Sequence, residues 1–125
     1  MVVPPGELID RITILEIKAA RLPEPARSAV QQDLGLALAV RDRARLISPR
    51  IAELSAQLLA VNLALWEIEE QLRQCERAQS FGREFVSLAR CVYQHNDRRA
   101  ALKRAIDAAA GSDTTEHKSH PLPEL

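Results

Sequence analysis

Residues 51–75 read IAELSAQLLAVNLALWEIEEQLRQC. Within them Ile51, Leu54, Leu58, Val61, Leu65, Ile68, Leu72 and Cys75 recur at alternating spacings of three and four. That rhythm holds one face of a long helix in register and predicts a helix built to pack against others. A second stripe keeps the same rhythm: Phe85, Leu88, Val92, His95, Arg99, Leu102, Ile106 and Ala109, with His95 and Arg99 as polar interruptions. Together the stripes predict an all-α antiparallel bundle of about four helices, with helices three and four the longest.

Upstream, Pro4-Pro5-Gly6 leads into a first helix. Glu7 and Asp10 bring negative charge to its start, where the helix dipole favours it. Its apolar line of Leu8, Ile12, Leu15, Ala19 and Leu22 is widened by Ile9, Ile14 and Ile17. A short helix so apolar must be covered on more than one side. Pro23 and Pro25 break the chain after Arg21, and Pro25 suits the first turn of helix two. That helix is expected over 25–47, with Val30, Leu34, Ala37 and Leu38 inward and Gly35 allowing a close backbone approach. Ser48-Pro49 reads as an N-cap and first-position proline for helix three, expected to end near residue 78. So short a junction leaves a hairpin and one kinked helix over 25–78 both open. Ser80 is expected to cap helix four, and Gly111 to end it. The domain reading is therefore a bundle over 1–111 and a polar, extended tail over 112–125.

Composition narrows the function classes. A chain of 125 residues, 46% hydrophobic, makes one domain with a single core. Aromatics are few (Trp66, Tyr93, Phe81 and Phe85), so that core is aliphatic. Seventeen basic residues balance seventeen acidic ones, so no net field draws the chain to nucleic acid or to an anionic membrane. No apolar run approaches the roughly 18 residues of a spanning helix. Met1 to Gly6 lacks the basic and apolar regions of a signal peptide, so a cytoplasmic protein is expected. Cys75 and Cys91, without C-x-x-C spacing, read as reduced thiols at or beside apolar positions. No cofactor or metal is expected. Glu67, Glu69 and Glu70 lack the E-x-x-H partner of a di-metal site, and the H-x-x-H spacing of His117 and His120 reads as a chance match.

In an antiparallel hairpin turning near 79–82, residues whose numbers sum to about 162 lie level, at ~1.5 Å rise per residue. Arg99 then reaches Asn62 and His95 reaches Glu69, while Gly35 shares the height of Asn62 if helices two and three also fold back. Polar groups that satisfy one another in a core fix register and partner number, which is the first reading of this cluster. The second is an anion or small-ligand site built from Asn62, Glu69, His95, Asn96, Arg99 and Lys103, with Arg98 beside them. The remaining basic groups (Arg41, Arg43, Arg45 and Arg50) read as a solvated face, since no aromatics interleave with them to stack bases. Arg90 and His95 have the R-x4-H spacing of HEPN ribonucleases, a remote alternative because five helical residues separate the two onto different faces.

Gly6 to Lys18 (GELIDRITILEIK), Val61-Asn62 with Leu65 to Glu69, Leu88 to Tyr93, and Asn96-Asp97 with Arg99 to Arg104 resemble a small bacterial family of unknown function. The resemblance implies a setting among genes for surface-polysaccharide or glycan assembly. It marks Glu7, Asp10, Asn62, Trp66, Glu69, Asn96, Asp97 and Arg99, and through Glu116, Lys118 and Ser119 a docking tail. It supplies no catalytic residues. The first helix also resembles the opening helix of all-helical chorismate mutases, but Pro23 and Pro25 forbid the long first helix those need.

The leading functional reading is a non-enzymatic module that works through helix-to-helix contact, as a homodimer or with another protein. Leu59, Leu63 and Trp66 lie off the main stripe of helix three, more apolar surface than four unequal helices cover. The competing reading is a ligand-binding or catalytic bundle holding an anionic metabolite near Arg99 and Asn62.

Overall fold

Four helices follow one another without strands among the described residues: α1 (Pro5–Arg21), α2 (Ala26–Arg43), α3 (Pro49–Arg77) and α4 (Arg83–Ser119). This computed structural model describes residues 3–119, and the side chains up to Gly111. The all-α bundle with α3 and α4 longest is the architecture the two stripes predict.

The short, apolar α1 is the centre. It packs against α2 on one side and against the α3–α4 hairpin on the other, whereas α2 makes no close backbone approach to α3 or α4. Ile9, Ile12 and Leu15 accordingly share one core with Ile51, Leu54 and Leu58 of α3, Leu102 and Ile106 of α4, and Ala37 of α2. Val30, Leu34 and Leu38 pack against that core as partly buried residues, the inward face expected of α2.

Neither the hairpin nor the kinked helix describes the α2–α3 junction. Helix α2 stops at Arg43, four residues short of the expected end, because Arg45 turns into the left-handed region (φ 59°). The Leu46 N–H then donates back to the Arg41 carbonyl at 3.0 Å, closing a Schellman turn. Ser48 caps α3 as expected, its hydroxyl accepting from the Ile51 N–H at 3.2 Å. Helix α3 ends by a second turn of the same kind: Gln79 has φ 53°, and the Ser80 N–H donates to the Cys75 carbonyl at 2.9 Å. Ser80 thus closes α3 instead of capping α4. Phe81, before α4, meets Phe85 edge-to-face at 5.3 Å. The backbone of α4 continues through Gly111 to Ser119 without the expected stop. The side chains of Glu116, His117, Lys118 and Ser119, and the whole of His120, lie outside the described residues.

The close backbone approach falls on Gly6, not on Gly35. Nothing lies within 4 Å of a Cβ added at Gly35, whereas one at Gly6 would stand 3.0 Å from the Lys103 Cα and nearer still to its carbonyl. The Gly6 N–H also donates to Asp107 Oδ1 at 2.7 Å, joining the start of α1 to α4. Gly6→Ala should therefore push α1 and α4 apart and lower stability by about 1–3 kcal/mol, the usual effect of overpacking against backbone. Gly35→Ala, on an open helix face, should raise stability slightly. Urea denaturation of both variants checks the contrast.

One helix, α3, is long and apolar enough to span a bilayer, with mean hydropathy 1.3 over its best window. The expectation that no segment approaches that limit is corrected to this extent. Only 28% of that window is buried. Its buried members, Ile51, Leu54, Leu58, Asn62 and Leu65, nevertheless belong to a packed core with a hydrogen-bonded polar centre.

Candidate functional site

Three helices deliver polar groups to mid-bundle, and they meet on Asp10. The Asp10 carboxylate is buried. Arg99 grips it with two N–H groups, Nε to Oδ1 at 2.9 Å and Nη2 to Oδ2 at 2.6 Å. Asn62 Nδ2 donates to Asp10 Oδ1 at 2.9 Å and to Thr13 Oγ1 at 2.8 Å. The Thr13 hydroxyl in turn donates to the Asp10 carbonyl at 2.7 Å. Among the described residues no buried side-chain nitrogen or oxygen lacks a partner.

Burial pushes the Asp10 carboxyl up. The hydrogen bonds from Arg99 and Asn62, with the charges of Arg99 and Lys103, outweigh it and hold the group below the usual carboxylate range. The bonds to Asp10 hold Arg99 firmly protonated against its own desolvation. Of the two carboxylates expected to serve the dipole at the start of α1, Glu7 lies in the first turn and pairs with Lys103, while Asp10 turns into the bundle.

The predicted heights are right and the predicted partners are not. Asn62 and Arg99 are level, yet both reach Asp10 on the third helix. His95 does not turn to Glu69, because its Nδ1–H donates to the Cys91 carbonyl one turn back, at 2.8 Å. That bond ties the ring to its own helix, and Arg90 stands exposed about 140° around α4, so the two share no site. Lys103, held by Glu7, lies a turn away from the centre. Arg98 reaches Gln57 at 2.9 Å.

Beside the network, α1, α3 and α4 leave a groove of about 260 Å³. Asn62, Glu69, Asn96 and Arg99 line it, four of the six residues proposed from sequence. His95 and Lys103 do not. Lys18 and Trp66 complete its walls. Trp66 is among the residues marked by the family resemblance; Lys18 falls within the resembling stretch without being singled out. Thr13 gave no signal beyond its position three residues after Asp10.

Cys75 is buried and Cys91 half-buried, both as free thiols. No group of three or more His, Cys, Asp or Glu among the described residues is placed to hold a metal ion. Comparison of the chain with protein-family models, curated proteins and solved structures finds no match.

Proposed function

We propose that the protein is a helical assembly module that dimerises through the far end of its α3–α4 hairpin. The observation that carries this reading is a difference in length. Helix α1 has 17 residues and α3 has 29, or about 25 Å against about 43 Å at 1.5 Å per residue. Arg21, the last residue of α1, pairs with Glu67 of α3 at 2.7 Å. Past that level, among the described residues, α3 and α4 pack only on each other.

The arm beyond α1 keeps the apolar stripe going with nothing to cover it. Ile68, Leu72, Phe85, Leu88 and Val92 stay half-buried, and Phe81 and Val86 are 47% and 48% exposed. A cleft of about 430 Å³ runs between Leu72, Phe85, Ala89 and Val92, with Arg73 and Glu76 at its rim. A second copy related by a twofold axis would close this apolar cleft on its own equivalent, with Arg73, paired to Glu70 of its own helix, at the polar rim. Two such arms would make a four-helix bundle, which closes an apolar seam that two helices leave open. The sequence resemblance adds a setting, bacterial surface-glycan assembly, that suits an assembly protein without naming a further partner.

Light scattering on a sizing column should give twice the 13.9 kDa chain mass. Leu72→Asp should weaken the dimer about hundredfold or more, since symmetry places two carboxylates in apolar contact. Leu36→Asp, on the outward face of α2 where Leu36 is 65% exposed, should leave the mass unchanged. A monomer at every concentration, or a dimer that Leu36→Asp dissolves and Leu72→Asp does not, overturns the reading.

A further inference from the structure

We infer that the groove between α1, α3 and α4 binds a small zwitterion, a free α-amino acid being the simplest. This stands apart from the dimer, since the groove lies on the three-helix body and not on the arm. Its unused groups carry the argument. Among the described residues, Lys18 makes no ion pair or side-chain hydrogen bond, and Glu69 none beyond its long-range pull on Arg99. Both face the same groove of about 260 Å³, at the small end of ligand pockets.

The charges choose between ligand classes. The competing reading of the sequence is an anionic metabolite held near Arg99 and Asn62. Arg99 is already neutralised by the two-pronged bond to Asp10, and Glu69 adds a negative charge beside it. The two cations, Lys18 and Arg99, are therefore balanced by two carboxylates, Glu69 in the groove and Asp10 buried behind Arg99. A balanced site of this kind repels a bare anion at Glu69 and a bare cation at Lys18. It suits a molecule carrying both charges.

The hydrogen-bonding groups are arranged to match. Asn62 has both amide hydrogens committed to Asp10 and Thr13, which leaves its carbonyl oxygen as an acceptor. Asn96 accepts from Arg99 Nη1 at 3.5 Å through Oδ1, which leaves its amide hydrogens as donors. A carboxylate has Lys18 and the Asn96 amide to bind it, and an ammonium has Glu69 and the Asn62 oxygen. Trp66 supplies an apolar wall and Ile17 and Leu65 a floor, so the preferred ligand carries an apolar or aromatic side chain.

The test is calorimetric titration of the full chain with each proteinogenic amino acid, with succinate and inorganic phosphate as bare-anion controls. At least one apolar or aromatic amino acid should bind, and more tightly than either control. Lys18→Met and Glu69→Gln should each weaken it about tenfold or more, the effect of losing one charge-assisted hydrogen bond. Both variants should melt as the wild type does, because neither side chain is tied into the core. His95→Gln, outside the groove, should bind as the wild type does. Absence of heat with every amino acid, tighter binding of succinate or phosphate, or binding indifferent to Lys18→Met and Glu69→Gln overturns the inference. Loss of folding in either variant would do so too, by showing that these groups hold the bundle and not a ligand.

Discussion

Asp10→Ala should lower stability by about 3–5 kcal/mol, the range for breaking a buried ion pair by removing one partner. Arg99, with its side chain 29% exposed, would regain some water, which favours the lower half of that range. Asn62 would at the same time lose its carboxylate acceptor and keep only the Thr13 hydroxyl. Arg99→Ala probes the same pair from the other side, and its signature is a change in pH dependence. In the wild type the folded Asp10 carboxyl is held below its ordinary value, so its contribution is complete above about pH 4. That contribution is lost as the pH falls through the folded value. Without Arg99, burial is opposed mainly by Asn62, so the carboxyl should move up. Acid should then relieve a buried charge instead of breaking a pair. Urea denaturation across the acid range should show the wild type weakening toward low pH while the gap to Arg99→Ala narrows. A gap that is the same at every pH would mean that Asp10 and Arg99 do not titrate as a pair.

The fold was legible because its strongest determinant is periodic. Eight apolar residues spaced by three and four specify α3, and Ser48-Pro49 specifies where it starts. Helix ends were less legible where the chain turns on residues other than glycine. Arg45 and Gln79 take the left-handed conformation that glycine usually supplies, while Gly35 and Gly111 stand on helical backbone. The glycine signal was thus absent at Arg45, where α2 stops early, and present at Gly111, where α4 runs on, whereas the ends of α1 before Pro23 and of α3 near residue 78 read correctly. For the site, helical rise placed Asn62 and Arg99 at one height, as observed. It could not supply Asp10, because the crossing of α1 over the hairpin leaves no trace in the spacing of any one helix. The contact that fixes that crossing, Gly6 on the Lys103 carbonyl, is backbone against backbone between residues far apart in the chain. His95 misled because an exposed-looking polar residue in an apolar stripe can satisfy itself on its own helix, as it does on Cys91.

Leu58→Ala should lower stability by about 3–5 kcal/mol, the upper part of the range for truncating a buried leucine. Leu58 is wholly enclosed, as is Ile106, and both belong to the core where α1, α3 and α4 converge. A void there is walled by three helices that cannot all close on it, so both the transfer loss and the cavity term should appear in full. Leu72→Ala, six steps of the three-four rhythm further along the same stripe than Ile51, tests the opposite condition. Only two helices flank it, its surface is already partly in solvent, and the arm can settle inward, so about 1 kcal/mol or less is expected from the monomer's own folding. Sequence alone assigns the two leucines the same role. Their difference comes entirely from where α1 ends. If the protein is the dimer proposed here, the Leu72→Ala loss should also grow with protein concentration, because the wild type gains stability by association and the variant gains less. The Leu58→Ala loss should change little with concentration. Denaturation of the two variants over a range of concentrations therefore separates the three-helix body from the arm. Equal losses at both positions would contradict the arrangement in which α1 covers only the first part of the hairpin.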